Sequence, residues 1–269
     1  MDAPSAASAA GAAGAASAAG ADRSPLLELS GISKRFGAVD ALTDVRFDVR
    51  PGEVVALVGD NGAGKSTLIK VISGIHRADS GVIRWQGKEV VLGSPNDAGA
   101  LGIATVYQDL ALCDNLDVVA NLFLGREPTA LGMLDELAME RRALDVLRRL
   151  SVALPSVRIP VAALSGGQRQ SVAVARSVLG ASRVVLLDEP TAALGVAQTR
   201  EVLALIERLR GEGLGVVLIS HNLADVYAVA DRIAVLRLGR HVGTFDARAL
   251  PHEQLIALMT GAAAPGRPS

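Results

Sequence analysis

The stretch VVALVGDNGAGKST, Val54 to Thr67, decides the fold that this sequence predicts. It opens with a compact apolar run of the kind that forms a buried strand, and a glycine-rich loop and a helical pattern follow. Gly59 to Ser66 match the pattern G-x-x-x-x-G-K-[ST], in which a loop between a strand and a helix wraps around phosphate groups. The stretch therefore predicts an α/β protein that binds a phosphorylated ligand.

The residue types in this loop have chemical reasons. Gly62 and Gly64 let the backbone curl so that successive N–H groups face inward, and the helix that begins near Lys65 adds its positive dipole end. The Lys65 ammonium can reach the β- and γ-phosphates, the Ser66 hydroxyl can bind Mg²⁺, and Thr67 contacts phosphate as well. The sequence therefore predicts a P-loop that holds a nucleotide.

A second apolar strand ends in two acidic residues, in the stretch RVVLLDEP. Acids at the end of a buried strand weaken it, so we expect them to have a chemical task. Asp188 is placed to reach Mg²⁺ through water, and Glu189 to orient and deprotonate an attacking water. The plain alternative is a pair of solvated loop residues, which the P-loop upstream disfavours.

Composition limits the class of protein. Of 269 residues, 50% are hydrophobic, which allows a large core, and 27 basic against 28 acidic residues give a net charge of -1. That balance shows no nucleic-acid footprint. Cys113 is the one cysteine, so no disulfide forms within the chain and a reducing compartment fits. No apolar run approaches the roughly 18 residues of a membrane span.

The order of elements favours a mostly parallel sheet with an inserted helical region, because apolar strands alternate with helices. The buried strands are predicted at 54–58, 183–187, 214–219 and 232–236. Residues 109–180 are predicted to be mostly helical. The domain is predicted to span 26–262, between a disordered Ala/Gly/Ser-rich tail at 1–25 and a flexible tail at 263–269.

The stretch LSGGQRQ, Leu164 to Gln170, predicts a second anion site. Ser165 followed three residues later by Gln168 is a capping box, so a helix starts at Ser165. Gly166 and Gly167 then occupy its first turn, where the absence of side chains opens the helix N-terminus to phosphate. A glycine-rich turn between helices is the alternative for the glycine pair alone, and the acidic strand that follows favours the anion site.

LSGGQ followed by RVVLLDEP resembles the signature and the Walker B strand of ATP-binding-cassette ATPases, and further markers occur in the family's order. Phe36 in KRFGAVDAL is similar to the aromatic residue that stacks on adenine. Gln108 in TVYQD is similar to the Q-loop glutamine, and His221 in LISHN to the switch histidine at the γ-phosphate. Alone, Phe36 is typical of a core, Gln108 carries almost no information, and His221 is typical of a structural histidine.

The resemblance implies a fold, ligands and residue roles. The fold is a P-loop NTPase of the cassette type, with a mostly parallel core sheet, an antiparallel β subdomain and the inserted helical subdomain, and the ligands are ATP and Mg²⁺. The catalytic residues are Glu189, His221 and Gln108. The metal ligands are Ser66, Gln108 and Asp188. The residues that hold ATP are Phe36, Gly59, Asp60, Asn61, Gly62, Ala63, Gly64, Lys65, Ser66 and Thr67.

The resemblance also explains why one chain carries two phosphate sites. In this family two cassettes pair head to tail, each ATP lies between the P-loop of one and the LSGGQ of the other, binding closes the pair and hydrolysis reopens it. A homodimer is therefore predicted in which the signature acts in trans, through Ser165, Gly166, Gly167 and Gln168. One position departs from the family, because the stretch AALG carries Gly195 where the D-loop has Asp.

Two stretches are similar to the bacterial monosaccharide-importer cassettes of the ribose, xylose and fructose type. They are VYQDLALCDNLDVVANLFLGRE and SHNLADVYAVADRIAVLRLGRHVGTF. The one complete motif set is like that of single-cassette members. The resemblance implies an ATP-hydrolysing subunit at the cytoplasmic face of the cell membrane, with a transmembrane permease as partner and a sugar-binding protein as an indirect one. The apolar segment 109–127 is either insertion core or the groove that receives the permease.

Two other functions stay open at this point. A soluble, non-transport cassette ATPase would act on ribosomes or DNA, but such proteins usually carry paired cassettes, coiled-coil insertions or basic surfaces. A small-molecule P-loop kinase would leave LSGGQ without a role. The sequence therefore favours sugar import, with no nucleic-acid partner.

Overall fold

Residues 24–130 and 132–262 are described by a computed structural model of the chain. The predicted tails, 1–25 and 263–269, fall outside the described residues apart from Ser24 and Pro25. The placement of one domain between 26 and 262 stays a prediction. The described residues form two larger β-sheets, a small hairpin and the helices that pack against them.

The first sheet is antiparallel. Its strands are β1 (Leu27–Phe36), β2 (Val39–Val49), β4 (Ser80–Trp85) and β5 (Lys88–Val90). They lie in the order β2-β1-β4-β5. Apolar side chains of this sheet pack with those of the first helix in one core, which includes Leu27, Val45, Leu68 and Ile72. The antiparallel sheet therefore covers the helix that starts at Lys65.

The second sheet forms the centre of the fold. Its strands are β3 (Val54–Val58), β6 (Ile103–Val106), β9 (Val184–Asp188), β10 (Gly215–Ile219), β11 (Arg232–Arg237) and β12 (Arg240–Asp246). They lie in the order β12-β11-β3-β10-β9-β6, and all neighbours are parallel except β11 and β12. Every residue of β3 and β10 is buried, as in sheets that are covered on both faces. The mostly parallel α/β sheet is confirmed.

Helices connect these strands. They are α1 (Lys65–Ile72), α2 (Pro95–Leu101), α3 (Val118–Phe123), α4 (Glu136–Arg149), α5 (Gly166–Val178), α6 (Val196–Gly211), α7 (Leu223–Val229) and α8 (His252–Thr260). None of the helices in the described ranges has both the length and the hydropathy that a membrane crossing needs.

The segment 109–180 is less helical than predicted. It contains α3, α4 and α5, but loops and a short hairpin, β7 (Thr129–Ala130) with β8 (Met133–Leu134), take the rest. Gly125, Pro128, Pro155 and Pro160 interrupt the helical pattern, because glycine and proline disfavour a continuous helix. The residues of α3 are mostly buried in the same core as α5, so this part of the apolar segment 109–127 is insertion core.

Arg232 on β11 joins the two larger sheets. Its guanidinium donates to Asp48 on β2 at 3.0 and 2.8 Å, and to Glu53, directly before β3, at 3.1 and 2.7 Å. Burial lowers the pKa of Arg232, but the hydrogen bonds to Asp48 and Glu53 raise it, and the net shift is upward. The guanidinium therefore stays charged between the two carboxylates.

Replacing Arg232 by alanine should lower the free energy of unfolding by about 3 kcal/mol, because two partly buried carboxylates would lose their shared cation. Arg148→Ala is the control, since Arg148 pairs with Asp145 on the exposed surface of α4, and its loss should cost under about 0.5 kcal/mol. Urea unfolding measures both. Equal losses for the two variants would contradict the joining role of Arg232.

Candidate functional site

The carboxyl ends of the parallel strands meet at one edge of the main sheet, which is where α/β proteins bind ligands. The glycine-rich loop follows β3, Glu189 follows β9, and His221 lies two residues beyond the end of β10. A cavity of about 320 Å³ opens at this edge. It is lined by Val39, Asp40, Ala41, the loop residues 61–67, Glu189, Ile219 and His221.

Backbone conformation makes the loop after β3 suitable for an anion. Gly62 and Gly64 have φ angles of 79° and 102°, in the left-handed region that glycine favours. A Cβ at Gly64 would also lie 2.8 Å from the Ala41 carbonyl oxygen. No side chain caps α1 and no acidic residue lies in its first turn. The N–H groups of this turn are therefore available to a phosphate.

The Lys65 ammonium is buried beside this loop. The residue is 6% exposed, and its Nζ donates to the carbonyl oxygens of Gly59 at 2.6 Å and Asp60 at 3.0 Å. Burial lowers the pKa of Lys65, while the charges of Glu189, Asp60 and Asp188 oppose this shift. Because its hydrogen-bond partners are neutral, a phosphate oxygen would give the ammonium the direct anionic contact that it lacks.

Glu189 and His221 face each other in the same cavity. The Glu189 Oε1 and His221 Nε2 atoms are 2.8 Å apart. Glu189 has a φ angle of 51°, which is uncommon for a residue with a side chain and costs roughly 1–3 kcal/mol. Its backbone N–H donates to the Ile219 carbonyl at 3.0 Å. The hydrogen bond to the neighbouring strand therefore holds this strained residue in place.

Asp188 offers a carboxylate beside the loop. Burial raises its pKa, the neighbouring Glu189 raises it further, and Lys65 and His221 oppose the shift. A cation at Asp188 would offset the cost of its buried charge. No cluster of three His, Cys, Asp or Glu side chains suitable for a metal occurs among the described residues. The Asp188 carboxylate and the Ser66 hydroxyl are oxygen ligands of the kind that Mg²⁺ accepts beside phosphates and water.

Several predicted site residues lie outside the lining of the cavity: Phe36, Gly59, Asp60, Gln108, Asp188 and the signature residues 165–168. Phe36 is 43% exposed, so it is not a core residue, and its ring meets the His76 ring edge-on with centroids 5.1 Å apart. Gln108 is exposed two residues beyond β6. Sequence reasoning missed the wall that Val39, Asp40 and Ala41 form, although it lies directly after Phe36 in the quoted stretch KRFGAVDAL.

The signature helix α5 begins as predicted, but its glycines serve a further purpose. Ser165 Oγ accepts from Gln168 N at 3.2 Å, and Gln168 Oε1 accepts from Ser165 N at 3.0 Å, which confirms the capping box. A Cβ on Gly166 would lie 3.0 Å from a Leu194 methyl, and one on Gly167 would lie 3.0 Å from the Gln198 Cβ. The glycines therefore let α5 pack against the start of α6.

Gly195 is the N-cap residue of α6. Its N–H donates to Gln198 Oε1 at 3.3 Å, so a glutamine closes this helix end as Gln168 closes that of α5. Its φ angle is -72°, and a Cβ there would meet no atom within 4 Å. Neither backbone conformation nor packing in the described chain therefore requires glycine at this position.

The fold and the cavity together define a P-loop nucleotide-binding protein. A family model described as ABC transporter matches residues 42–192. The xylose/arabinose import ATP-binding protein of Sulfolobus acidocaldarius is 51% identical over 217 residues, which cover 81% of this chain and 86% of that protein. The chain therefore belongs to the ABC transporter family.

Two further relatives carry similar names. The fructose import ATP-binding protein of Rhizobium meliloti is 47% identical over 253 residues, covering 91% of this chain and 97% of its own length. A ribose import ATP-binding protein of Rubrobacter xylanophilus is 45% identical over 237 residues, which are 88% of this chain but 47% of that protein. The chain thus spans about half of the ribose relative.

Solved structures share the fold. A nucleotide-free ATP-binding cassette from an ABC transporter has a TM-score of 0.76 at 24% identity, covering 88% of this chain and 96% of that one. A dimeric cassette in a post-hydrolysis state, bound to ADP and Pi, has a TM-score of 0.69 at 24% identity, covering 83% and 99%. These likenesses confirm the cassette fold.

Replacing Gly167 by alanine should destabilise the protein by about 1 kcal/mol. The new methyl group would force α5 and α6 apart, and the free-energy cost of this displacement exceeds the gain from the higher helix propensity of alanine. Gly211→Ala on α6 is the matched control, since a Cβ there meets open space, and it should stabilise by up to about 1 kcal/mol. Urea unfolding curves give both values. A stabilising Gly167→Ala would show that the signature glycines are not required for packing.

Proposed function

We propose that this chain is the ATP-hydrolysing subunit of an importer that carries a monosaccharide, fructose-like or ribose-like, through a membrane permease. The observation that supports hydrolysis is that Glu189 and His221 line the same cavity as the phosphate loop. The observation that supports sugar import is the similarity to proteins named for the import of xylose, fructose and ribose. A soluble cassette ATPase acting on ribosomes or DNA is not favoured by these relatives.

In this proposal the loop residues bind the phosphates. The N–H groups of the first turn of α1 hold the β- and γ-phosphate oxygens, and Lys65 turns from the carbonyls of Gly59 and Asp60 to the phosphates. Phe36 carries the adenine, which its exposed ring permits. Bound Mg²⁺ would neutralise phosphate charge, held by Ser66 with Asp188 and Gln108. Gln108 follows β6, the strand beside β9, so its loop lies at the same edge of the sheet as Asp188.

Glu189 is the proposed base for the attacking water. The water oxygen bonds to the γ-phosphorus, the bond to the β–γ bridging oxygen breaks, and the water proton passes to Glu189. His221 contacts the γ-phosphate. In the structure these two side chains contact each other, with Glu189 Oε1 and His221 Nε2 2.8 Å apart. Phosphate binding would separate them and expose the base, which limits hydrolysis to the loaded site.

The signature is proposed to act on the nucleotide of a second copy. Ser165 and Gly166 are exposed, and residues 165–168 do not line the cavity of their own chain. This placement supports a phosphate that belongs to another copy, as in a homodimer with two shared sites. ATP would favour the closed pair through its contacts with both copies, and hydrolysis would remove that preference.

The permease is proposed to dock beside the Q-loop, on the cytoplasmic face of a bacterial membrane, with a sugar-binding protein acting on the far side. A groove of about 400 Å³ lies between β6, the loop that follows it and α5. Tyr107, Leu110 and Arg176 contribute to its lining. Since Gln108 lies within this loop, an occupant of the groove would influence the position of Gln108 at the nucleotide.

Glu189→Gln should leave the Kd for ATP within about twofold and lower the hydrolysis rate by roughly a hundredfold or more, because glutamine cannot accept the water proton. ATP should then hold the variant as a dimer. Titration calorimetry, phosphate release and size-exclusion chromatography measure the three effects. Glu207→Gln, on the exposed side of α6, is the control and should behave as wild type. A normal rate for Glu189→Gln would refute the assignment of the base.

The transport proposal is tested by purifying the tagged chain from membranes of its source cells with mild detergent. We expect a multi-spanning permease to co-purify, and its reconstitution with the chain in vesicles should give ATPase activity that a monosaccharide stimulates. Screening fructose, ribose and xylose with their binding proteins identifies the substrate. Recovery of ribosomes or DNA at near-physiological salt, without a membrane protein, would favour the soluble alternative.

A further inference from the structure

Two loops at the edge of the main sheet are joined by two side-chain contacts. Glu189 and His221 form one of them, and both side chains are partly exposed to the cavity, by 24% and 46%. The other lies behind it, where the Thr191 hydroxyl donates to Asp225 Oδ2 at 2.7 Å. Asp225 is 6% exposed. One contact is therefore open to ligands, whereas the second lies within the fold.

The buried Asp225 needs an explanation, because a carboxylate inside a protein is costly unless donors surround it. In residues 24–130 and 132–262, no cationic side chain forms an ion pair with Asp225. Its place in the first turn of α7 gives it the favourable end of the helix dipole. The Thr191 hydroxyl is the side-chain donor that completes this arrangement.

We propose that Thr191 and Asp225 are positioning residues that set the separation of Glu189 and His221. Thr191 lies in the turn that the hydrogen bond from Ala192 N to the Glu189 carbonyl closes at 3.1 Å. Asp225 is four residues beyond His221, on a helix that starts directly after it. The buried hydrogen bond therefore ties the backbone beneath Glu189 to the backbone beneath His221. This inference depends on the ATPase role proposed above.

The two contacts differ in what happens during turnover. The contact between Glu189 and His221 opens whenever the base takes up a water and the histidine turns to the phosphate. The buried hydrogen bond has no ligand to contact and stays closed. The two side chains thus exchange partners while their backbones remain at a fixed distance, and they return to each other after product release.

Thr191→Val tests this role, because valine keeps the shape of threonine but removes the donor. We expect kcat to fall roughly tenfold to a hundredfold, as for a small misplacement of reacting groups, while KM and the Kd for a non-hydrolysable ATP analogue stay within about twofold. Thr191→Ser should restore kcat, since serine keeps the hydroxyl. Thr199→Val, on α6, is the matched control and should keep the wild-type rate.

A spectroscopic readout separates positioning from general stability. The chain has four histidines, so the ring ¹⁵N signals of His221 can be assigned by comparison with His221→Gln. In the nucleotide-free protein these signals should move towards those of a free imidazole in Thr191→Val and stay unchanged in Thr191→Ser. Should Thr191→Val fail to fold, Thr191→Ala decides, because alanine also removes the donor and kcat should fall as expected for Thr191→Val.

Several outcomes would overturn the inference: an unchanged kcat in Thr191→Val or in Thr191→Ala, an equal loss in Thr191→Ser, or an effect on KM alone. Its failure is distinct from that of the proposed function. If wild type does not hydrolyse ATP, the proposed function fails. If wild type hydrolyses ATP and Thr191→Val does so equally well, only the positioning role fails.

Discussion

Parallel register at the centre of the main sheet determines the site. Leu57 of β3 lies opposite Ile219 of β10, and Ile219 lies opposite Asp188 of β9. The three strands therefore end at the same height in the sheet. The phosphate loop, Glu189 and His221 come shortly after these strand ends. A shift of one residue in any strand would turn its buried side chains to the opposite face. The apolar cover on both faces thus keeps the polar groups together.

The charged side chains at this edge are only partly compensated, which suits a phosphorylated ligand with a metal ion. Lys65 is a buried cation whose hydrogen bonds go to neutral carbonyls, and the pKa of Asp188 is raised mainly by burial. Each group carries a desolvation cost without full compensation. A phosphate beside the first and a cation beside the second would offset both costs.

Local patterns predicted much of the fold and part of the site. The strand Val54–Val58 was predicted with its observed bounds, because glycines on both sides limit an apolar run, and the capping box of Ser165 needs only neighbouring residues. Contacts between distant residues could not be predicted in this way. Thr191 with Asp225, and Gly167 with Gln198, lie more than thirty positions apart, and no periodicity connects them. The two-residue strands of the hairpin are too short for a pattern.

The close approach of α5 and α6 has a mechanical consequence. Gly167 leaves no gap above Gln198, so the start of α5 cannot tilt towards α6 without pushing it. The starts of the two helices therefore move as one rigid unit. The loop that holds Glu189 and Thr191 directly precedes α6. A force on the signature from outside the chain would therefore reach the acidic loop of the same chain.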